Sequence, residues 1–384
     1  MRLRFRQSIL LTRLAALLAC GASVGIAAEG GRLRIALTGQ GLMQHDLRTA
    51  TPEKSTAIAA ALAGQDVVFT DLETVINSGQ GTKTRDSVFF HAGDPAVLDC
   101  FKAWHFNLLA TSNNHAFDLG AAGILATIEE VRRRDFVFAG TGATLEAASA
   151  PAVIKTARGS VALVAFASGK VGDNAVATAT KPGLNEVRFD EKSGEIVAED
   201  ADRVFAALRA AAKLADVVIA YQHDHYWEKD NRVTPEWKKR FARACVDAGA
   251  TLFVSHGAPL LHGIELYRGC PIFYDLGGLV FHTVTAPGYY LPEVWESVIV
   301  ETEFEGGKLA SLHLRAVALN ELGEGEPPTP RFYATRGAPS LATGAQAQAT
   351  LERLARLSAP LGTKISIKGD RAEVSVPSGP RTGH

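Results

Sequence analysis

Short apolar runs alternate with amphipathic stretches along most of this 384-residue chain, and few folds accommodate that alternation. Residues 33–38, 67–70, 106–111, 161–165, 217–220, 252–254 and 272–274 read as strands buried on both faces. Between them, residues 54–63, 95–103, 123–134, 200–214 and 235–248 space their apolar positions as helices do. Pro235 follows Thr234, which places a proline at the first helical position behind a good N-cap. The pattern predicts an α/β fold in which helices cover the faces of a mostly parallel sheet. Residues 168–199, richer in Gly, Lys, Asp and Glu, read as an inserted loop region. Residues 291–304 and 309–318 read as two strands joined at Glu305-Gly306-Gly307-Lys308. Residues 321–384 are expected to be a linker followed by a small α+β appendage, with a helix over 345–358 and strands over 364–367 and 372–376.

The N-terminus reads as a targeting segment. Arg2, Arg4, Arg6 and Arg13 precede an apolar stretch over 14–26, then Ala27 and Ala28, so residues 1–28 are expected to be a signal peptide. That stretch is short for a membrane span. Leu17-Leu18-Ala19-Cys20 offers a rival route, a lipoprotein with its lipid on Cys20, although Leu18 fits that signal poorly. The favoured expectation is a periplasmic or secreted protein that meets a membrane only through its signal peptide or a Cys20 lipid. Removing the segment takes away four Arg and no acid, so 40 basic and 41 acidic residues become 36 and 41. No basic block remains, which argues against nucleic acid as a partner. Cys100, Cys245 and Cys270 are widely spaced with no Cys-x-x-Cys, which argues against a thiolate zinc site, and their odd count argues against a disulfide framework while leaving room for one bridge.

Polar residues gather where strands end. Gly39-Gln40-Gly41 follows the first run and Asp71-Leu72-Glu73 the second. Asn113-Asn114-His115 with Asp118 and Gly120 follows the third, then His223-Asp224-His225 and Ser255-His256-Gly257. In parallel sheets such ends share one edge, so five modest clusters become one candidate site. A mixed Asn, His, Asp and Glu set suits one or two divalent ions such as Mn²⁺, Fe²⁺ or Zn²⁺ better than Ca²⁺. His91, His105, His262, His282 and His313 are read as packing residues.

In order and spacing these clusters resemble the CapA family of capsule and poly-γ-glutamate synthesis proteins, over about residues 34–303. The resemblance is carried by Asn113-Asn114-His115-x-x-Asp118-x-Gly120, by Gly140-Thr141-Gly142, by Asp247-Ala248-Gly249-Ala250 and by the run from Pro271 to Gly277. It implies layered sheets flanked by helices, like the calcineurin-like metallophosphoesterases, over residues 29–320. Three departures fall on expected metal positions. Gln40 replaces an Asp, Asp224 and His225 replace Trp-Gly after His223, and His256 is the one histidine kept from Gly-His-His-Pro-His. Asp71 stands where the family usually has Asn. Because donors are gained as well as lost, a rearranged working site is expected.

The roles that follow are expectations. Gln40, Asp71, Glu73, Asn114, His223 and His256 would hold the metal. His115, oriented by Asp118, would move a proton, with His225 as a second catalytic group. Tyr221 and Asp224 would contact a cell-envelope polymer or peptide. Three activities remain open: a metal-dependent hydrolase, a metal-dependent peptide epimerase, and a non-catalytic component of polymer export or attachment.

Overall fold

The computed structural model describes residues 31–377, so the expected signal peptide and Cys20 lie outside the described residues. The alternation resolves into two sheets packed face to face, with helices on both outer faces. The first sheet runs Ile365–Lys368, Arg371–Val374, Lys308–Leu319, Glu296–Glu305, Leu33–Leu37, Val67–Asp71, Leu108–Ala110, Val137–Ala139, with Pro339–Leu341 beside Lys308–Leu319. The second runs Ile264–Tyr267, Cys270–Phe273, Leu252–His256, Val217–Asp224, Gly159–Ser168, Ala152–Thr156. Leu33–Leu37, Val67–Asp71, Leu108–Ala110 and Val137–Ala139 are mutually parallel. So are Gly159–Ser168, Val217–Asp224, Leu252–His256 and Cys270–Phe273.

The alternation alone suggests one sheet and the family resemblance implies layered sheets; two large sheets are present, and strand periodicity explains why the alternation does not separate the cases. Side chains alternate faces along a strand. Ile35, Leu37, Val67 and Phe69 therefore meet Leu163, Ile219, Tyr221 and Val254 in a core between the sheets. Ala36, Val68 and Leu109 turn outward, onto Ile58 of helix Pro52–Leu62 and onto Val97 and Phe101 of helix Ala96–Ala103. Ala162, Val164, Val218 and Phe253 turn to the opposite outside, onto Leu208 of helix Ala198–Ala211 and Phe241 of helix Glu236–Asp247. A strand covered on both faces reads as unbroken apolar whether its cover is helix or sheet.

The C-terminal segment contains the expected elements, and they extend the first sheet. Helix Gly344–Ser358 sinks Ala347, Leu351 and Leu354 into the inter-sheet core. Arg371–Val374 pairs antiparallel with Lys308–Leu319, and Ile365–Lys368 adds outside it. The apolar stripe of that helix needs burial, and the edge of Lys308–Leu319 supplies it. Gly306 and Gly307 both take left-handed backbone at the hairpin that creates this edge, which glycine adopts without strain. Among the described residues no helix is long and apolar enough to cross a membrane. Cys100 and Cys245 are buried thiols outside any disulfide.

Leu351→Ala should lower unfolding free energy by about 2–5 kcal/mol, the range for a large-to-small change in a packed core. Denaturant unfolding followed by far-UV dichroism should still show a single transition. A separate early transition, with the rest of the chain unchanged in midpoint, would contradict the integration of this segment.

Candidate metal centre

The C-terminal ends of the parallel strands from both sheets meet at one edge. Val67–Asp71 delivers Asp71, and Glu73 follows just beyond it. Leu108–Ala110 leads into the turn that holds Asn113, Asn114 and His115. In the second sheet His223 and His256 are direct neighbours in register. Gly257 then folds over Asp224 so closely that a Cβ there would lie 2.1 Å from the Asp224 carbonyl oxygen, at a φ of +124°.

Hydrogen bonds fix the turn atom by atom. The Asn113 amide donates to Asp71 Oδ1 at 3.0 Å and to the Leu72 carbonyl at 2.8 Å, and its Oδ1 accepts from the His115 amide at 3.1 Å. His115 Nδ1 lies 2.9 Å from Asp118 Oδ2, and Arg85 Nε lies 2.8 Å from Asp118 Oδ1. Burial pushes the Asp118 carboxyl up to about 6 against the opposing pull of Arg85. Burial first, then the charges of Arg85, His223 and Lys170, holds the His115 imidazole well below its ordinary range. At neutral pH His115 is therefore uncharged. Its partner Asp118 assigns the proton to Nδ1 and leaves Nε2 bare.

That assignment propagates into the cluster. A bare His115 Nε2, 3.1 Å from Asn114 Nδ2, accepts from it, so the Asn114 oxygen points the other way. Asp71 Oδ2 lies 3.1 Å from His223 Nδ1, too poorly aligned for a hydrogen bond but close enough to favour the proton on that nitrogen and leave Nε2 bare. His223 Nε2 then faces Asn114 Oδ1 at 2.9 Å, His225 Nε2 at 3.0 Å and Glu73 Oε1 at 3.5 Å. Four candidate ligand atoms thus converge on one point. Ligands on one ion at roughly 2.1 Å stand roughly 3 Å apart, which is the spacing seen. Glu73, His223 and His225 form a compact donor trio, their ligand atoms within 4.8 Å of one another. Two imidazoles, a carboxylate and an amide oxygen fit a borderline divalent ion such as Zn²⁺, Mn²⁺ or Fe²⁺.

The predicted residues divide into those that face this point and those that support it. Glu73, Asn114 and His223 lie where a ligand would. His225, read from sequence as a catalytic group, joins them as a donor. Asp71 gives Oδ1 to Asn113 and keeps Oδ2 buried without a hydrogen bond, 3.1 Å from His223 Nδ1. Gln40 lines the cavity, and its Oε1 accepts from the Gly257 amide at 3.0 Å. His256 turns Nδ1 to the Tyr221 hydroxyl at 3.1 Å, while its Nε2 is buried without a partner. Tyr221 and Asp224, read from sequence as substrate contacts, are not among the residues lining the cavity over this cluster. Tyr221 lies beneath His223 and His256, and Asp224 is buried against Lys238 Nζ at 3.2 Å. Period two accounts for the pair: Tyr221, His223 and His225 share one face, and Asp224 falls on the helix side.

Over the donor cluster opens a cavity of about 430 Å³ lined by Gln40, Glu73, Asn114, His115 and His225. Sequence reading missed several of its other walls: Arg85, Lys170, Trp227, and the aromatic residues Phe89, Phe281, Tyr289 and Tyr290. His91, read as packing, lines it as well, its ring edge-on to His115 with centroids 4.5 Å apart. These residues come from long connections with no local motif, so only the fold brings them in.

With the geometry established, comparison with known proteins identifies the surroundings of the site. The sequence profile of the bacterial capsule synthesis protein PGA_cap matches residues 34–283, which include every residue of the donor cluster. An uncharacterised protein of Sinorhizobium fredii is 28% identical, covering 81% of this chain and 86% of its own. The PGA biosynthesis protein CapA of Bacillus subtilis is 27% identical over 56% of this chain and 53% of its own. A probable polyglutamine synthesis accessory protein of Mycobacterium tuberculosis is 26% identical over 67% of each. Among solved structures, one described as a novel phosphatase from Mycoplasma pneumoniae aligns over 75% of this chain and 94% of its own, at 12% identity and a TM-score of 0.45.

Asp71→Asn should weaken divalent metal binding by about 10- to 100-fold, because the amide no longer fixes the His223 tautomer. Competition against a metal-binding dye measures this. Unchanged affinity would detach Asp71 from the centre.

Proposed function

This chain belongs to the bacterial capsule synthesis protein PGA_cap family, and from that premise we propose that it is a cell-envelope hydrolase with a divalent metal centre. Its substrate would be an amide-linked envelope polymer or peptide, and residues 1–28 would export it. The observation that carries the reading is the convergence of donor atoms from Glu73, Asn114, His223 and His225 beside His115. The names of two relatives, a PGA biosynthesis protein and a probable polyglutamine synthesis accessory protein, support an envelope polymer as the substrate class.

When bound, a divalent ion supplies Lewis acidity at the scissile carbonyl. The protein's own residues do the rest. His115 Nε2 opens onto the cavity next to Glu73 Oε1, at 3.9 Å. Being neutral, it first takes a proton from the attacking water, then returns that proton to the departing amine, so water adds across the C–N bond. Asp118 holds the ring through Nδ1 in both steps, and Arg85 keeps Asp118 in place. Burial supplies the first of these transfers, since it keeps the imidazole uncharged.

His115→Ala should retain bound metal and lose about 10²- to 10⁴-fold in turnover of poly-γ-glutamate, scored by released amine. His223→Ala and Asn114→Ala should lose metal, measured by elemental analysis of purified protein. Equal metal loss in all three would refute the division of roles. Full-length protein that binds no transition metal would favour the non-catalytic reading.

Metal loading should fall as the solution is acidified. Burial and the neighbouring Asp71 raise the Glu73 carboxyl well above its usual range, so it holds a proton that a cation must displace. Calorimetry in buffers of different ionisation enthalpy should register proton release on loading. Buffer-independent heats would contradict it.

A further inference from the structure

The cavity holds one cation whose charge nothing answers. Arg85 is neutralised by Asp118, but Lys170 makes no ion pair or hydrogen bond among the described residues. Its ammonium lies 4.1 Å above the Trp227 ring. Trp227 in turn lies against His225, with centroids 4.8 Å apart, and His225 against His223 at 4.9 Å. A stack of three rings thus leads from the ammonium to the donor cluster.

The backbone holds Lys170 in this position. The His225 amide donates to the Ser168 carbonyl at 2.7 Å, so the loop leaves its strand in register with the site. Gly169 follows at a φ of +74°, where a Cβ would come within 3.1 Å of the His225 carbonyl carbon. Lys170 itself has a φ of +48°, a left-handed conformation that a residue other than glycine adopts only at a cost. A strained, unpaired lysine over an aromatic face, in a wall otherwise rich in aromatic side chains, is built to meet a negative charge arriving from solvent. Its field already reaches the donor end, since Lys170 is among the charges that depress His115 and His225.

We propose that Lys170 and Trp227 form an oxyanion subsite, which holds a carboxylate or phosphate of the substrate one residue or linkage away from the bond presented to His115. Lys170 supplies the charge. Trp227 fixes where the charge sits and packs against the apolar part of the incoming chain. The subsite rests on the cavity being where substrate binds, so it deepens the hydrolase reading, but binding alone tests it.

The experiment titrates metal-replete full-length protein with γ-glutamyl-glutamate and with its neutral bis-amide, following tryptophan fluorescence and calorimetric heat. The dianion should bind about three- to tenfold more tightly than the amide, the increment expected of a partly desolvated ion pair. Lys170→Met should erase that preference without changing metal content, and Lys170→Arg should restore most of it. Phenyl phosphonate against neutral phenylacetamide, run on the same variants, distinguishes a phosphate subsite from a carboxylate one. If Lys170→Met retains the preference for both anions, or the wild type shows none for either, the subsite is wrong. A preference that depends on Lys170 in a protein that cleaves nothing would leave the subsite standing and remove the hydrolase.

Discussion

Everything at this site depends on the Asp71 carboxylate, buried where the two sheets meet. One oxygen accepts from Asn113, which shapes the turn after Leu108–Ala110, and the other lies against His223 of the opposite sheet. A single side chain thus joins two elements of the first sheet to the central strand of the second. A buried charge is costly unless its neighbours answer it, and here those neighbours are the residues that the site needs in fixed tautomers. Asp118 repeats the device one step outward, orienting His115 while Arg85 orients it. Both carboxylates act through an imidazole and leave the second nitrogen bare.

The strands and helices were legible because their causes are local. Doubly buried runs and helical spacing placed the central strands and most long helices within a few residues. The division into two sheets was not legible, because a face covered by a helix and a face covered by a sheet demand the same apolar residues. Nor was the docking of the last helix and strands, which depends on an open edge far away in sequence.

The candidate site was partly legible for a similar reason. Strand-end polar clusters follow from the parallel arrangement, so Glu73, Asn114, His115 and His223 could be gathered from sequence. The roles of Asp224 and His225 were interchangeable until strand parity was applied. His225 shares a face with His223, and Asp224 faces the helix that carries Lys238. Asp71 and Gln40 have the chemistry of ligands, and each also makes a hydrogen bond that shapes the site, to Asn113 and to the Gly257 amide, which no residue type reveals. Lys170, Arg85 and His91 arrive on long connections, where sequence distance says little about position.

The two sheets are joined at their shared face by packed side chains, with no strand ladder between them among the described residues. Glu73 and Asn114 ride on one sheet, His223 and His225 on the other. The spacing of the donor cluster is therefore a gauge of how the sheets sit on each other. A methylene added or removed at Leu163 or Phe69, well below the site, would be felt as a change in the gap that a cation must fill. Selection for one ion over another can act on the hydrophobic core while every ligand stays the same.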